Sequence, residues 1–207
     1  FIDIAFHKTI LRNFKMKLKE AIKGQRTVVI YPGRFQPMGS HHFQAYKHLV
    51  SKFGKANVFV ATSDKTGDKS PLNFNEKKKV ISAYGVPAKQ IVKVKNPYRS
   101  DEITSKLPDD TAVLWAVGAK DGDRLVSGKY FDKYKKGMDL SPYKDRGYIY
   151  IVPHVSLKVN GQEMSGTAIR QALSNKDLSP KERKDIFKQI TGFNNPSIEK
   201  MLLNKLA

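Results

Sequence analysis

The sequence predicts an α/β fold with a doubly wound parallel sheet, followed by a helical C-terminal tail. Short runs of apolar, β-branched residues alternate along the chain with longer segments whose apolar residues recur at helical spacing. No hairpin turn joins the early apolar runs, so each connection is expected to be a crossover that makes consecutive strands parallel. The 207 residues suffice for one such domain with a sizeable core and are too few for two ordinary ones.

About five strands are predicted in the sheet. Each is a short apolar run of the kind that a parallel sheet buries on both faces. In chain order they are residues 27–31, 58–61, 91–94, 112–117 and 148–152. Between the last two, the stretch 127–147 is rich in lysine and glycine, and we expect an insertion or a mobile loop there.

The helices are predicted from apolar residues at helical spacing. In chain order they cover residues 1–23 (one helix or two), 41–53, 74–84, 167–174, 180–190 and 196–206. The chain therefore divides into an N-terminal helical segment at 1–24, a main domain at 25–175 and C-terminal helices at 176–207. Because the chain begins at Phe1 rather than Met, we expect a fragment or a processed product.

The strongest feature of the composition is its charge. The chain has 38 lysines and arginines against 19 acidic residues, a formal net charge of +19. A field of that sign concentrates phosphates, whether on nucleotides or on nucleic acid, and it also attracts an acidic protein partner. The plainer interpretation is a solvated surface of lysines, since the basic residues are dispersed rather than gathered in one tail.

The composition also excludes several classes of protein. Without cysteine there is neither a disulfide framework nor a thiolate metal site, and no spacing of His, Asp or Glu indicates a dedicated metal site. No apolar run approaches the roughly 20 residues that span a bilayer, and the first residues do not form a secretory signal. We therefore expect an intracellular, cytoplasmic protein with no membrane partner.

The most informative stretch runs from residue 31 to residue 42, after the first predicted strand and at the start of the first long helix. Ligands of a doubly wound sheet bind beyond the carboxyl ends of its strands, where a helix N-terminus offers free N–H groups to a phosphate. Glycine lets the backbone approach closely, arginine adds a planar charged fork, and imidazoles can donate to phosphoryl oxygens. The residues of these types are Gly33, Arg34, Gly39, His41 and His42. The alternative interpretation is a glycine-rich turn with two surface histidines and no ligand, which would show the same residues.

Four segments resemble the nucleotidylyltransferase superfamily whose hallmark is His-x-Gly-His. Residues 33–37, Gly-Arg-Phe-Gln-Pro, are similar to the start of the hallmark segment in archaeal-type nicotinamide-nucleotide adenylyltransferases. Residues 165–170, Ser-Gly-Thr-Ala-Ile-Arg, resemble the second signature, Ser-Gly/Ser-Thr-x-Ile-Arg. Residues 70–77 are similar to an Asn-Pro-Phe-Thr segment, and residues 117–121 to a Val-Gly-x-Asp-like turn after the fourth strand. The resemblance covers about 26–175 and implies a Rossmann-like fold.

The resemblance implies a role for each matching residue. His42 would stabilise the transition state at the α-phosphate, and Arg170 would hold the β- and γ-phosphates. Ser165 and Thr167 would donate from the start of the helix that carries Arg170, and Arg34 would face the triphosphate. The other residues implied in nucleotide binding are Gly33, Phe35, Gly39, Lys77 (where the family often has Arg), Gly118 and Asp121 (beside adenine and ribose) and Gly166.

The hallmark itself is altered in this chain. Aligned from Phe35, the first His of His-x-Gly-His has become Gly39, and its Gly has become His41. Losing one phosphate donor would cost roughly 2.7–4 kcal/mol in the transition state, by analogy with an oxyanion-hole donor. Either His41 takes over the missing donor's role as a catalytic residue, or the site has kept binding and lost catalysis. His154, after a proline near a strand end, is interpreted as structural.

The function that the resemblance implies is transfer of a nucleoside monophosphate from a nucleoside triphosphate to a small phosphorylated acceptor, with Mg²⁺ as cofactor and pyrophosphate as product. ATP and nicotinamide mononucleotide are the first expectation. Pantetheine phosphate, flavin mononucleotide and a CTP-dependent alcohol phosphate remain open, since a fold does not determine a substrate. The alternative is a catalytically degenerate relative that binds nucleotide or nucleic acid, or serves in an assembly.

Overall fold

The protein is represented by a computed structural model that describes residues 26–126 and 128–206. The helix predicted at 1–23, and with it the segment 1–24, lies outside the described residues. The rest of the chain confirms the predicted class: an α/β, Rossmann-like fold built on a parallel sheet. None of the described helices is long and apolar enough to cross a bilayer.

The main sheet has six strands in the order β3-β2-β1-β4-β6-β5, and every neighbouring pair is parallel. The strands are β1 (Thr27–Pro32), β2 (Val58–Thr62), β3 (Ile91–Lys93), β4 (Ala112–Val117), β5 (Phe131–Lys133) and β6 (Gly147–Ile151). A two-stranded antiparallel hairpin, β7 (Lys158–Val159) and β8 (Gln162–Glu163), stands apart from it. The order reverses between β1 and β4, which makes their carboxyl ends the topological switch point where doubly wound sheets bind ligands.

Seven α-helices are found in the described part of the chain. They are α1 (Ser40–Phe53), α2 (Phe74–Ala83), α3 (Asp101–Thr104), α4 (Ala119–Leu125), α5 (Gly166–Ser174), α6 (Pro180–Thr191) and α7 (Pro196–Leu206). Five of these were predicted within a residue or so of their bounds. The short helices α3 and α4 were not predicted, because four and seven residues do not show a periodicity.

The stretch 127–147 differs from its prediction as an insertion or mobile loop. Phe131–Lys133 forms β5, an edge strand that pairs in parallel with β6. The ring of Phe131 lies 5.1 Å from that of Trp115 on β4, and the Tyr143 N–H donates to the Thr111 carbonyl. A three-residue strand is too short to show alternation, so lysine and glycine content dominated the prediction.

Two apolar clusters cover the two faces of the sheet, because alternate residues of a strand point to opposite faces. Val29, Leu114 and Tyr148 contribute to the larger cluster, which also includes α1, α2 and the C-terminal helices. Val113 and Trp115 contribute to the smaller one, beside α3 and α4. The C-terminal helices belong to the same core as the sheet, since Phe187, Ile190 and Leu202 are fully buried in the larger cluster.

Candidate functional site

The loop between β1 and α1 lies at the switch point and is built around Phe35. The Gly33 N–H donates to the Ala61 carbonyl at 3.0 Å, which continues the contact between β1 and β2. A Cβ on Gly33 would lie 2.5 Å from the Phe35 ring, so only glycine fits here. Phe35 itself has φ of 45° and is 4% exposed, with its ring edge-on to Tyr31 and His42. The resemblance implies that Phe35 contacts nucleotide. In the structure its buried ring forms the inner wall of the loop.

A second loop, between β2 and α2, is fixed to the first by Gln36. The Gln36 Nε2 donates to the Leu72 carbonyl at 2.9 Å, and the Leu72 N–H donates to Gln36 Oε1 at 2.8 Å. The Gln36 side chain is buried, so this two-fold pairing satisfies all the polar groups involved except one amide hydrogen. No sequence pattern indicated this contact, because the two residues are 36 positions apart in the chain.

His42 is held at the first turn of α1 by the backbone of Gly39. The Gly39 N–H donates to His42 Nδ1 at 3.1 Å. Burial and, to a smaller extent, the charge of the neighbouring His41 lower the pKa of His42 to about 3. The ring is therefore neutral at physiological pH. Since Nδ1 accepts a hydrogen bond, the single ring proton is on Nε2, which has no hydrogen-bond partner in the described part of the chain.

His41 lies beside His42 and bends back over Gly39. The two imidazole centroids are 3.8 Å apart. A Cβ on Gly39 would lie 2.9 Å from His41 Cε1 and from His41 Nδ1, so the His41 ring fills the space where a side chain at 39 would start. Burial lowers the pKa of His41, and the charge of His154 lowers it further. His41 Nδ1 is buried without a hydrogen-bond partner among the described residues.

His154, interpreted from the sequence as structural, lies near these two histidines. It follows β6, and it is close enough to His41 for its charge to lower the pKa of that ring. Its Nε2 lies 3.5 Å from a carboxylate oxygen of Glu163, which belongs to the hairpin leading to α5. In the sequence, one signal could have assigned His154 to this edge of the sheet: its position after the carboxyl end of a parallel strand.

The start of α5 carries the second group of predicted site residues. Ser165 is the N-cap, and its Oγ accepts from the Ala168 N–H at 3.1 Å. Gly166 and Thr167 are exposed in the first turn. Arg170 turns back toward that turn, where its Nη2 donates to Thr167 Oγ1 at 3.2 Å. Helix α5 is fixed to the core by Ile169, which packs in the same apolar cluster as Phe35.

The two arginines of the predicted site make no ion pair with any described residue. Arg34 is exposed, and it contributes only its carbonyl to a local contact, accepting from Thr62 Oγ1 at 3.4 Å. Arg170 is half-buried and bonded to a neutral hydroxyl. Some other cations in the described chain are paired, for example Lys133 with Asp123 and Lys144 with Asp109, but most are not. With respect to the described residues, both guanidinium groups are available to an anionic ligand.

Lys77 is placed inside the protein. Its side chain is 1% exposed, and Nζ donates to the Ser63 carbonyl at 2.6 Å. Burial lowers its pKa, while the nearby Asp64 acts in the opposite direction. Asp64 is itself engaged, since it accepts from the Phe74 N–H at 2.7 Å and pairs with Lys93 at 3.6 Å. In this structure Lys77 therefore stabilises the loop after β2 by binding the Ser63 carbonyl.

Gly118 and Asp121 lie beyond the carboxyl end of β4, on the other side of the switch point. Gly118 is the exposed N-cap of α4, and a Cβ there would meet open space. The Asp121 carboxylate accepts from the Tyr98 hydroxyl at 3.3 Å and from Arg124 Nη2 at 3.0 Å. Asp121 thus joins the loops that follow β3 and β4.

The predicted residues therefore fall into two well-defined groups and a remainder. The structure brings Gly33 and Gly39 together with His41 and His42 where the loop after β1 meets the start of α1. It brings Ser165, Gly166, Thr167 and Arg170 together at the start of α5. Phe35 and Lys77 are buried, and Gly118 and Asp121 stand beyond β4. Among the described residues, no three His, Asp or Glu side chains are grouped so that they could hold a metal ion.

Comparisons with known proteins find similarity among solved structures. No family model and no curated sequence matches the chain. Among solved structures, it is similar to the nicotinic acid mononucleotide adenylyltransferase of Plasmodium falciparum, both in a complex with APC (11% identity, TM-score 0.49) and in a complex with NaAD (14% identity, TM-score 0.48). Each alignment covers 86% of this chain and 95% of the other. Similarity this low carries no argument about activity or substrate.

Proposed function

We propose that this protein is a nucleotidylyltransferase that moves a nucleoside monophosphate, AMP from ATP as the first choice, onto a small phosphorylated acceptor such as nicotinamide mononucleotide. An oxygen of the acceptor phosphate attacks the α-phosphorus, the new phosphoanhydride bond forms, and the bond to the β-phosphate breaks to release pyrophosphate. The observation that carries the proposal is the pair of adjacent histidine rings at the start of α1, directly beyond the carboxyl end of β1.

His42 suits the role of a fixed hydrogen-bond donor. Because the Gly39 N–H occupies Nδ1, the ring cannot rotate freely, and its only proton is on Nε2. A neutral donor fixed in advance stabilises developing negative charge on a phosphoryl oxygen without reorganising during the reaction. His42 therefore acts by positioning and electrostatics, as transfer at phosphorus requires.

The altered hallmark is compatible with catalysis because His41 and Gly39 are coupled in space. The His41 ring lies against the backbone of Gly39, within 2.9 Å of where a side chain at 39 would start. A chain with His at 39 would need a residue without a side chain at 41, which is the order found in the hallmark. We propose that His41 supplies from position 41 the second imidazole that the superfamily places at position 39.

Arg34 and Arg170 supply positive charge for the triphosphate. Neither has a carboxylate partner among the described residues, so neither must break an ion pair to bind an anion. Arg170 stands in the first turns of a helix whose N-cap and exposed first turn offer further donors, which favours phosphate. A planar guanidinium can bind two phosphoryl oxygens at once.

Mg²⁺ would enter with the nucleoside triphosphate. The described residues contain no cluster of carboxylates that could form a protein site for it, and Asp64 and Asp121 are already engaged in internal contacts. Magnesium commonly binds through substrate phosphates and water with few protein ligands, so the donor set fits a metal carried by the nucleotide. When bound, it would neutralise charge on the phosphates.

The test is pyrophosphate release from ATP and nicotinamide mononucleotide by four proteins: the wild type, His41→Ala, Gly39→His/His41→Gly, and Gln44→Ala. Loss of an active donor lowers turnover by about 10²–10³-fold, so His41→Ala should fall by that amount. The double variant, which recreates His-x-Gly-His, should stay near the wild-type rate, as should the exposed control Gln44→Ala. A wild type that turns over with a panel of acceptors but ignores both histidine changes would contradict the placement of the phosphate site at 39–42.

Arg170 is tested by binding rather than by turnover. We expect Arg170→Ala to weaken ATP binding more than Arg170→Lys does, because lysine keeps the charge and loses the fork. Both variants should keep the fold, since Arg170 is bonded only to a surface hydroxyl. Calorimetry at low salt measures this order, and equal affinities of the wild type and Arg170→Ala would remove Arg170 from the site.

The second candidate function is a binding or assembly protein that keeps the fold and has lost catalysis. It is favoured by Gly39 in place of a donor and by the net charge of +19, which would attract nucleic acid or an acidic partner. In that case the wild type and both histidine variants stay inactive with every acceptor, while ATP affinity changes modestly. A double variant at least ten-fold faster than the wild type would instead indicate a weakened enzyme, since ten-fold requires only about 1.4 kcal/mol.

A further inference from the structure

A cavity of about 400 Å³ lies where the end of α5, the start of α6 and the end of α7 meet. None of the residues assigned above to nucleotide binding lines it. Its lining residues are Ser174, Asn175, Lys176, Arg183, Leu203 and Asn204. The volume falls within the range of pockets that hold small organic molecules.

The lining is positive and has no internal counter-charge. Lys176 and Arg183 face the cavity, and no Asp or Glu of the described chain lines it. Lys176 is exposed and makes no ion pair with the described residues. Two cations that line one cavity without a carboxylate favour an anionic occupant.

Arg183 provides the more specific indication. Its Nη2 donates to the Leu178 carbonyl at 2.9 Å, which fixes the guanidinium in place. Its Nε is buried and makes no hydrogen bond to a described residue. Because this fixed guanidinium lines the cavity and no carboxylate of the described chain does, an anion there would compensate its charge.

Neutral amides add donors, and one wall is apolar. The Asn175 Oδ1 already accepts from the Asp177 N–H, which leaves the Asn175 amide nitrogen for a ligand. Asn204, on the last turn of α7, is exposed, and its side chain makes no hydrogen bond to the described residues. The half-buried Leu203 covers part of the cavity with methyl groups.

We propose that this cavity binds a small organic phosphate monoester. The phosphate would accept from Arg183, Lys176 and the asparagine amides, since a phosphate offers acceptors to a set of donors. The organic part would rest against Leu203. The proposal is independent of the nucleotide site, and no bond is made or broken in it.

The experiment is a titration of the full chain with glycerol 3-phosphate, followed through its backbone amide resonances by NMR. Resonances of residues 174–176 and 203–204 should shift and saturate in the millimolar range, as expected for a few charge-assisted hydrogen bonds. Uncharged glycerol at the same concentration should leave them in place. Because each amide is followed separately, binding at residues 33–42 is distinguished from binding here.

Two variants on different helices test the assignment against a matched control. Lys176→Glu and Asn204→Asp each place negative charge in the lining, and both positions are exposed, so the fold should be kept. Each should weaken binding at this cavity by about ten-fold or more. Lys181→Glu makes the same charge change on the exposed surface of α6 outside the lining and should bind as the wild type does. Absent shifts at 174–176 and 203–204 in the wild type, or equal weakening by all three variants, would overturn the proposal.

Discussion

At the scale of single residues, the decisive contact is between Gly39 and His41. The backbone of Gly39 is extended, with φ of −103° and ψ of 173°, a conformation that alanine adopts without strain. What excludes a side chain is the His41 ring at 2.9 Å and, more distantly, the Ile190 carbonyl at 3.4 Å. The effect of a substitution at position 39 therefore depends on the side chain at position 41.

This coupling predicts non-additive stability changes. We expect Gly39→Ala to lower the free energy of unfolding by about 1–3 kcal/mol, because the added methyl overlaps with the imidazole. In a His41→Ala background the same change should cost distinctly less, and what remains reflects the poorer N-cap that alanine makes. Urea denaturation of the four proteins of this cycle gives the coupling energy, and additive changes would show that the two side chains do not compete for space.

The low pKa of His42 predicts how stability depends on pH. Because the pKa is about 3 in the folded protein and near 6.5 in the unfolded chain, the unfolded chain binds the proton more readily. The contribution of His42 to stability is therefore full above about pH 6.5 and is lost as the pH falls toward 3. A single such group removes roughly 2 kcal/mol between about pH 7 and pH 5.

His42→Gln serves as the comparison, since its side-chain oxygen can still accept from the Gly39 N–H. Its free energy of unfolding should fall less steeply over the same pH interval than that of the wild type. Denaturation curves at several pH values measure the two slopes. If the free energy of unfolding fell equally steeply with pH in the wild type and in His42→Gln, His42 would titrate normally in the folded protein. The argument for a neutral donor would then fail.

At the scale of elements, the loop between β2 and α2 is fixed at both of its ends. Gln36 pairs with both backbone groups of Leu72, and Lys77 bonds to the Ser63 carbonyl. These contacts bring the second loop against the loop that carries the histidines. Each of these contacts satisfies buried polar groups. Removing one should therefore lower the free energy of unfolding and also disturb the position of the site loop.

Gln36→Leu should therefore destabilise the protein by about 2–4 kcal/mol, because it leaves a buried N–H and a buried C=O of Leu72 unpaired. Hydrogen exchange should locate the effect, with the Leu72 amide losing its protection. Gln44→Ala, an exposed glutamine on α1, is the control and should change neither quantity. Unchanged protection at Leu72 in Gln36→Leu would show that the pairing does not hold the loop.

The long elements could be predicted from the sequence, and the contacts between them could not. The strand at Ala112–Val117 is fully buried and apolar throughout, and the helix at Pro180–Thr191 begins with a capping box and ends at Gly192, so local patterns define both. The edge strand Phe131–Lys133 has no such pattern. The pairing of Gln36 with Leu72 joins two loops 36 residues apart, which no local periodicity reveals.

At the scale of the whole molecule, the C-terminal helices are part of the core on which the site is built. The Ile190 carbonyl near the end of α6 approaches Gly39, and Gly192 lies beside Ser40 at the start of α1. Phe193 packs edge-on to Tyr84, whose hydroxyl donates to the Met38 carbonyl. The two groups of site residues stay a prediction from the sequence motifs, and those motifs gave no sign that α6 packs over the first group or that His154 lies near it.

Because the site loop, the sheet and the C-terminal helices share one core, a ligand at the site should stabilise the molecule as a unit. We expect MgATP at about 100 times its dissociation constant to add about 2.7 kcal/mol to the free energy of unfolding, which is roughly 5–10 °C in melting temperature for a chain of this size. Circular dichroism and Trp115 fluorescence should report the same shifted transition, since Trp115 lies at the centre of the sheet. Sulfate at matched ionic strength is the control for general screening of the +19 charge, and Arg170→Ala should reduce the ATP effect but not the sulfate effect. A melting temperature that does not respond to millimolar ATP, CTP or GTP beyond the sulfate control would contradict a nucleotide site anywhere in this fold.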